Sequence, residues 1–251
     1  MSAKSWHNRL GLAGGIDKDG SRAVELLATG FDSVEFGTVT PHPEPGSNPG
    51  VAALAARLSA LAPRRAGDAR IGIGIGMNSS TAPAALPAEW LSGLRDAWDA
   101  ADYLSFNLSA RSYRPLLDAE HFPLLLRAFE AVAAERECRT ARGSRHVALA
   151  LKLPLDATGT FPLMLAEAAA DTSFDAMIAV LPAGAERLDR LRMLASHLQG
   201  KAAIVAVGGI RTAADVRAAL AAGANAVQVH TVFAQLGVAC LPELLDLNRH
   251  A

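Results

Sequence analysis

The chain is poor in cysteine: Cys138 and Cys240 are the only two in 251 residues, far apart and without the spacing of metal ligands. That usage fits a reduced, cytoplasmic setting, and neither thiol reads as catalytic. An excess of charge is also missing. Lys and Arg total 24 against 25 Asp and Glu, a formal net charge of −1, so composition makes no case for nucleic acid or an anionic membrane surface as a partner. The basic cluster Arg139, Arg142 and Arg145 reads as a solvated helix end and loop. No apolar run approaches the ~20 residues that a membrane span needs, and the N-terminus has no apolar signal-peptide core. The expectation is a soluble cytoplasmic protein with no metal site, no membrane and no nucleic-acid partner.

What is present is apolar residues. They make up 51% of the chain, with alanine very abundant, which is enough for a sizeable core. The length suits one large domain, and a (β/α)8 barrel typically takes about 250 residues. Read in order, a short apolar run from Leu10 ends in Gly14-Gly15 and the polar turn Ile16 to Gly20. Ala23 to Ala28 reads as helix closed by Gly30, and Asp32 to Gly37 alternates like a strand before a long Pro/Gly loop, 38–50. A helical stretch, 51–61, and a basic turn, 63–68, precede Ile71-Gly72-Ile73-Gly74-Ile75-Gly76. Period-2 alternation there sets isoleucines on one face and glycines on the other, leaving room for a neighbouring backbone or a flat ligand. Trp90, Leu94 and Trp98 follow at i, i+4, i+8, a core-facing helix stripe.

Strands are then expected at 102–106, 146–153 and 175–180, with helices at about 124–136, 161–170 and 186–198. Ala203 to Val207, Gly208-Gly209, a helical segment 213–222 and a second apolar run ending in His230-Thr231 form one βαβ unit, with a closing helix at 242–247. Eight strands alternating with eight helices predict a single closed parallel barrel, a (β/α)8 TIM barrel spanning 1–251.

Polar residues cluster just past the strand ends, where barrels carry their sites: Lys18, Thr38, Asn78, Asn107 with Ser109, Lys152, Gly208-Gly209 and His230-Thr231. Thr38 and Asn78 could equally be loop hydrogen-bonders, and Ser109 a turn residue. Lys152 lies within Val147 to Leu153 and needs a charge partner or a ligand there, because burial penalises a lone ammonium. Glycines at the end of the seventh strand, ahead of a helix N-terminus, make a phosphate cradle.

Gly11 to Gly20 closely resembles the first strand and loop of dihydroorotate dehydrogenases, and Gly30-Phe31 through Pro41, with Pro43, Pro45 and Gly46, resembles that family's second segment. Asn107-Leu108-Ser109 is similar to its catalytic-loop entry. Val205 to Ile210 and Ala221 to Val229 are similar to its strands for the phosphate of flavin mononucleotide (FMN). The resemblance implies an FMN-binding barrel acting on a small molecule, and family members are often homodimers. Ala13 and Gly14 would meet the isoalloxazine ring by backbone, and Thr38, Asn107 and Lys152 its polar edge. Gly208, Gly209, His230 and Thr231 would hold the phosphate, and Lys18 would lie near both ring and substrate. The lysine would stabilise the charge that builds as flavin accepts a hydride.

Departures from the family pattern fall on the substrate side. The family's base, Cys or Ser before Pro-Asn, is Ala110 here, followed by Arg111-Ser112, and alanine cannot accept a proton. An Asn-bearing segment is replaced by Ala62 to Gly67, the Asn of the third strand by Gly74, and a Thr-Asn pair by Val180-Leu181. The glycine-rich loop after the sixth strand is cut to Pro182-Ala183-Gly184-Ala185. With the first strand starting near Leu10, the N-terminal hairpin and membrane-associating extension of the quinone-linked class are expected to be absent. Lys18, Arg111 and Arg114 could receive an anionic substrate, with Ser109, Ser112, Tyr113 or Lys18 as proton donor. Three readings result: an FMN-dependent oxidoreductase with a small anionic substrate other than dihydroorotate, a true dihydroorotate dehydrogenase with Ser109 or Ser112 as displaced base, or a flavin-free barrel serving as a non-redox enzyme or partner-binding subunit.

Overall fold

The computed structural model describes residues 6, 9–61, 67–143, 145–155 and 161–246. Eight strands close in sequence order into one parallel barrel: β1 (Arg9–Leu12), β2 (Ser33–Val39), β3 (Arg70–Ile75), β4 (Tyr103–Asn107), β5 (Ala148–Pro154), β6 (Ala176–Val180), β7 (Ala203–Val207) and β8 (Ala226–Val229), the last pairing with the first. Outside run α1 (Ala23–Leu27), α2 (Val51–Ser59), α3 (Leu86–Ala97), α4 (Phe122–Gly143), α5 (Phe161–Asp171), α6 (Arg187–Leu198), α7 (Ala213–Ala221), α8 (Thr231–Leu236) and α9 (Cys240–Leu245). The fold is the (β/α)8 barrel.

Strand side chains alternate, so each strand serves two cores. Val34, Phe36, Ile71, Ile73, Ile75, Phe106 and Leu151 face the helices. There Trp90 lies 4.8 Å from Phe106 and 6.2 Å from Phe129, centroid to centroid, contacts worth about 0.5–1.5 kcal/mol each beyond burial. The opposite parity fills the barrel with small side chains, among them Ala148, Ala150, Ala176 and Ala203. Trp6 closes the lower end, 5.0 Å from Tyr103, with the Arg70 guanidinium 4.7 Å from its ring. Among the described residues no helix is long and apolar enough to cross a membrane, and none form a metal-ligating cluster.

Several sequence expectations change in detail. On the glycine face of β3 and the residue after it, the Thr38 backbone comes close at Gly74, as one of the expectations had it, but Gly72 and Gly76 have no free room. A Cβ at Gly72 would run into the Tyr103 ring, and one at Gly76 into the Tyr113 hydroxyl. Tyrosine side chains, which period-2 reasoning along one strand does not see, fill that room. Thr38 lies inside β2 rather than after it, and α4 continues to Gly143. The extension carries Arg139, which pairs with Glu135 at 2.8 Å and lies over Trp98. The closing helix ends at Leu245, and Leu247, like most of the expected basic turn at 63–68, lies outside the described residues.

Candidate active site

Inward parity brings Glu35 of β2, Lys152 of β5 and Gln228 of β8 together across the barrel. The Lys152 Nζ lies 3.0 Å from Glu35 Oε1, with the two side chains 9% and 0% exposed. Gln228 Nε2 donates to Glu35 Oε2 at 3.3 Å and to the Tyr103 hydroxyl at 3.1 Å. Two buried charges are tolerated because each is paired and the carboxylate has a second donor. Burial, and then the Glu35 charge, push the Tyr103 phenol well above its usual range, so it stays a neutral O–H. The β1–α1 loop passes directly over this carboxylate. A Cβ on Gly14 would stand 2.7 Å from Glu35 Oε1, so any larger residue there would have to displace the carboxylate that pairs with Lys152.

One wall is a short hydrogen-bonded relay between β2 and β4. Asn107 Nδ2 donates to Thr38 Oγ1 at 2.8 Å, while its Oδ1 accepts from both the amide and the hydroxyl of Ser109 at 2.7 Å. Ser109 therefore gives its proton to a carboxamide. Beyond it the chain turns through a short 3-10 segment, Arg111–Leu117, pinned by Tyr113. The Tyr113 hydroxyl accepts from Met77 N–H at 2.9 Å and donates to Met77 C=O at 3.0 Å. Burial raises this phenol too.

The loop carrying Lys18 is shaped by Asp17. Its Oδ1 accepts from Asp19 N–H at 3.0 Å and Gly20 N–H at 2.8 Å, and its Oδ2 from Arg22 N–H at 2.9 Å. Lys18 itself is exposed at the mouth. At the opposite end Gly208 (φ +108°) and Gly209 (φ +67°) adopt left-handed backbone after β7. A Cβ at Gly208 would come 3.0 Å from the Leu181 carbonyl oxygen. Thr212 then caps α7 in a reciprocal capping box with Asp215. His230 and Thr231 follow β8, His230 at the N-cap of α8. Desolvation by the cavity wall, and then the Lys152 charge, lower the His230 pKa.

These elements surround a single cavity of about 600 Å³ at the C-terminal ends of the strands, within the range of small-molecule sites. Ala13, Gly14 and Lys18 line it from the first loop, and Thr38, Asn107, Ser109 and Ser112 from the β2 and β4 side. Lys152, Gly208, Gly209, His230 and Thr231 complete the set read from the sequence. Arg111 and Arg114 are exposed and stand outside the lining. Asn78 does too. Its side chain accepts from His42 N–H at 3.0 Å and donates to His42 C=O at 2.9 Å, clamping the loop after β2. Ala110 is in the lining too.

Residues that sequence reasoning passed over also face the site: Glu35 beneath it, and Gln228, Glu44 and Arg211 in its wall. Glu35 carried a usable signal. In Ser33 to Gly37 it has the parity opposite to Val34 and Phe36, and in a barrel whose outer face is covered by helices that parity is also buried.

An eight-stranded parallel barrel with its polar cavity at the C-terminal face of the strands is the architecture of a (β/α)8 enzyme. Comparison with known proteins narrows the class. The dihydroorotate dehydrogenase family model matches residues 185–248. Dihydroorotate dehydrogenase (quinone) of Methylococcus capsulatus is 32% identical, over 94% of this chain and 82% of that protein. The enzyme of the same description from Azotobacter vinelandii is 30% identical, over 95% and 80%. A crystal structure of DHODH from Eimeria tenella in complex with ferulenol superposes with a TM-score of 0.79 at 23% identity, covering 95% of this chain and 81% of that one, a likeness of fold. The chain belongs to the dihydroorotate dehydrogenase family and is an oxidoreductase of that family.

Proposed function

We propose that the chain, as one barrel domain over 1–251, is a cytoplasmic FMN-dependent oxidoreductase that moves a hydride between flavin and a small anionic substrate other than dihydroorotate. The observation that carries the proposal is a contrast within one cavity. Lys152, Thr38, Asn107 and the Gly208-Gly209 pair, which the resemblance assigns to the cofactor, line it together with Ala110, the residue that the resemblance sets at the position of the base.

The residues present fit the cofactor. Gly208 and Gly209 line the cavity with left-handed backbone that side chains would strain, and a Cβ there would meet the Leu181 carbonyl or the Arg187 guanidinium. Gln228 Oε1, buried beside the site, has no partner among the described residues. When bound, FMN supplies the two-electron chemistry that no side chain here can. Gly14, with Ala13, offers backbone to a flat ring. Lys152, braced by Glu35, supplies positive charge where negative charge would grow. Asn107 and Thr38 offer further polar contacts to the ring edge, and Lys18 is the cation for an anionic substrate.

The second reading, a true dihydroorotate dehydrogenase, is favoured by the relatives at about 30% identity. In it Ser109 would serve as base. Its hydroxyl is bonded to the Asn107 carboxamide, a group that does not draw the proton away as histidine or carboxylate does. Anaerobic addition of dihydroorotate to the FMN-loaded protein separates the two. The flavin stays oxidised under the first reading, and prompt bleaching establishes the second.

A further inference from the structure

Arg211 stands two positions beyond the Gly208-Gly209 pair and lines the same cavity. Its backbone N–H is committed to Asp215 Oδ2 at 3.1 Å. Among the described residues, no hydrogen bond or ion pair engages its guanidinium, which is exposed at the cavity rim.

The neighbouring cation is used differently. Arg187, at the start of α6, places Nη2 2.6 Å from Asp215 Oδ1 and donates through Nη1 to the Gly209 carbonyl at 2.8 Å. The other Asp215 oxygen accepts from Arg211 N–H, Thr212 N–H and the Thr212 hydroxyl at 3.0–3.1 Å. The acid of the capping box would otherwise stand beside the glycine pair and repel an anion. Both of its oxygens are instead saturated, and its charge is matched by Arg187.

Little else at this end is cationic. The connection 181–186 between β6 and α6 contains one charged residue, Glu186. Val180, Val207 and Ile210 are apolar, and Lys152 is held by Glu35. His230 is biased towards its neutral form by its surroundings.

We infer that Arg211 is the side-chain cation that closes on a phosphate dianion held at Gly208-Gly209, and that the Arg187–Asp215 pair keeps the capping acid from opposing it. This rests on the FMN reading, since the phosphate is what separates FMN from riboflavin. The protein would then bind its cofactor by a side-chain charge as well as by backbone amides. Arg211 and Arg187 become residues that select a phosphorylated flavin over an unphosphorylated one.

The test is titration of flavin-free protein with FMN and, separately, riboflavin, followed by quenching of flavin fluorescence. Arg211→Gln should weaken FMN about tenfold or more, the scale of one charge-assisted hydrogen bond, and leave riboflavin within about twofold. Riboflavin binding doubles as the check that the variant is folded. Arg211→Lys should restore part of the loss, and added salt should narrow the gap between the two flavins in the parent protein. Arg187→Gln, by exposing the Asp215 charge, should also weaken FMN more than riboflavin. Equal losses for both flavins, or unchanged FMN affinity in Arg211→Gln, would overturn the inference. A parent protein that binds neither flavin overturns the FMN reading itself, and the inference with it. That result is distinct because the parent, not the variant, fails.

Discussion

Lys152 and Glu35 meet 3.0 Å apart inside the barrel, from strands that are not neighbours in the sheet. The pair spans the interior directly beneath the cavity, and Gln228 ties it to Tyr103. It converts an apolar barrel into a support for charge.

A buried pair of this kind is costly to break and cheap to replace. Lys152→Met or Glu35→Leu alone should each destabilise the fold by about 3–5 kcal/mol, because each leaves an unmatched charge. The double variant Glu35→Leu/Lys152→Met should lose much less than the sum. Urea denaturation of the four proteins gives the cycle. Simple additivity would mean that the two side chains do not act as a pair.

Tyr113 fixes the segment 111–117 through both backbone groups of Met77. Tyr113→Phe leaves those groups unpaired, at a cost of about 1–3 kcal/mol. The effect should be local. Amide hydrogen exchange is expected to accelerate at 111–117 and around Met77 while the strands stay protected. Uniform acceleration across the barrel would show that Tyr113 instead supports the whole fold.

The barrel was legible because apolar runs alternate with helical stretches at the length of one βα unit throughout, ending in Gly208-Gly209 and His230-Thr231. Residues at strand ends were legible for the same reason, since the fold gathers strand ends on one face. Partners across the interior were not. Lys152 signalled that something must compensate it, but Glu35 lies 117 positions away, and only barrel closure brings the two together. The glycine face of β3 misled for a related reason. Its room at Gly72 and Gly76 is filled by Tyr103 and Tyr113 from other segments, and only at Gly74 does a neighbouring backbone, that of Thr38, come close. Arg111 and Arg114 suggested an anion site by type and proximity in sequence, yet the 3-10 segment leaves them outside the lining, and Arg211 is the arginine that lines the cavity.

His230 supplies a pH signature. Its pKa is lowered by desolvation and by Lys152, so below the ordinary histidine value the unfolded chain takes up a proton that the folded site resists. Stability from this group is therefore complete above the ordinary value of about 6.5. It is lost progressively as pH falls from there through the lowered folded value. An NMR titration of the flavin-free protein should show a His230 midpoint below that of an exposed histidine, and Lys152→Met should move it upward. A midpoint unaffected by Lys152→Met would remove the electrostatic link between the two ends of the cavity.

The central claim is that the barrel keeps a flavin site while its dihydroorotate chemistry is gone. It is tested most directly by the visible absorbance spectrum of the FMN-reconstituted protein, recorded anaerobically before and after dihydroorotate is added. A protein-bound flavin spectrum that dihydroorotate leaves unchanged is the expected result. A protein that binds no FMN, or a flavin bleached at once by dihydroorotate, would contradict it.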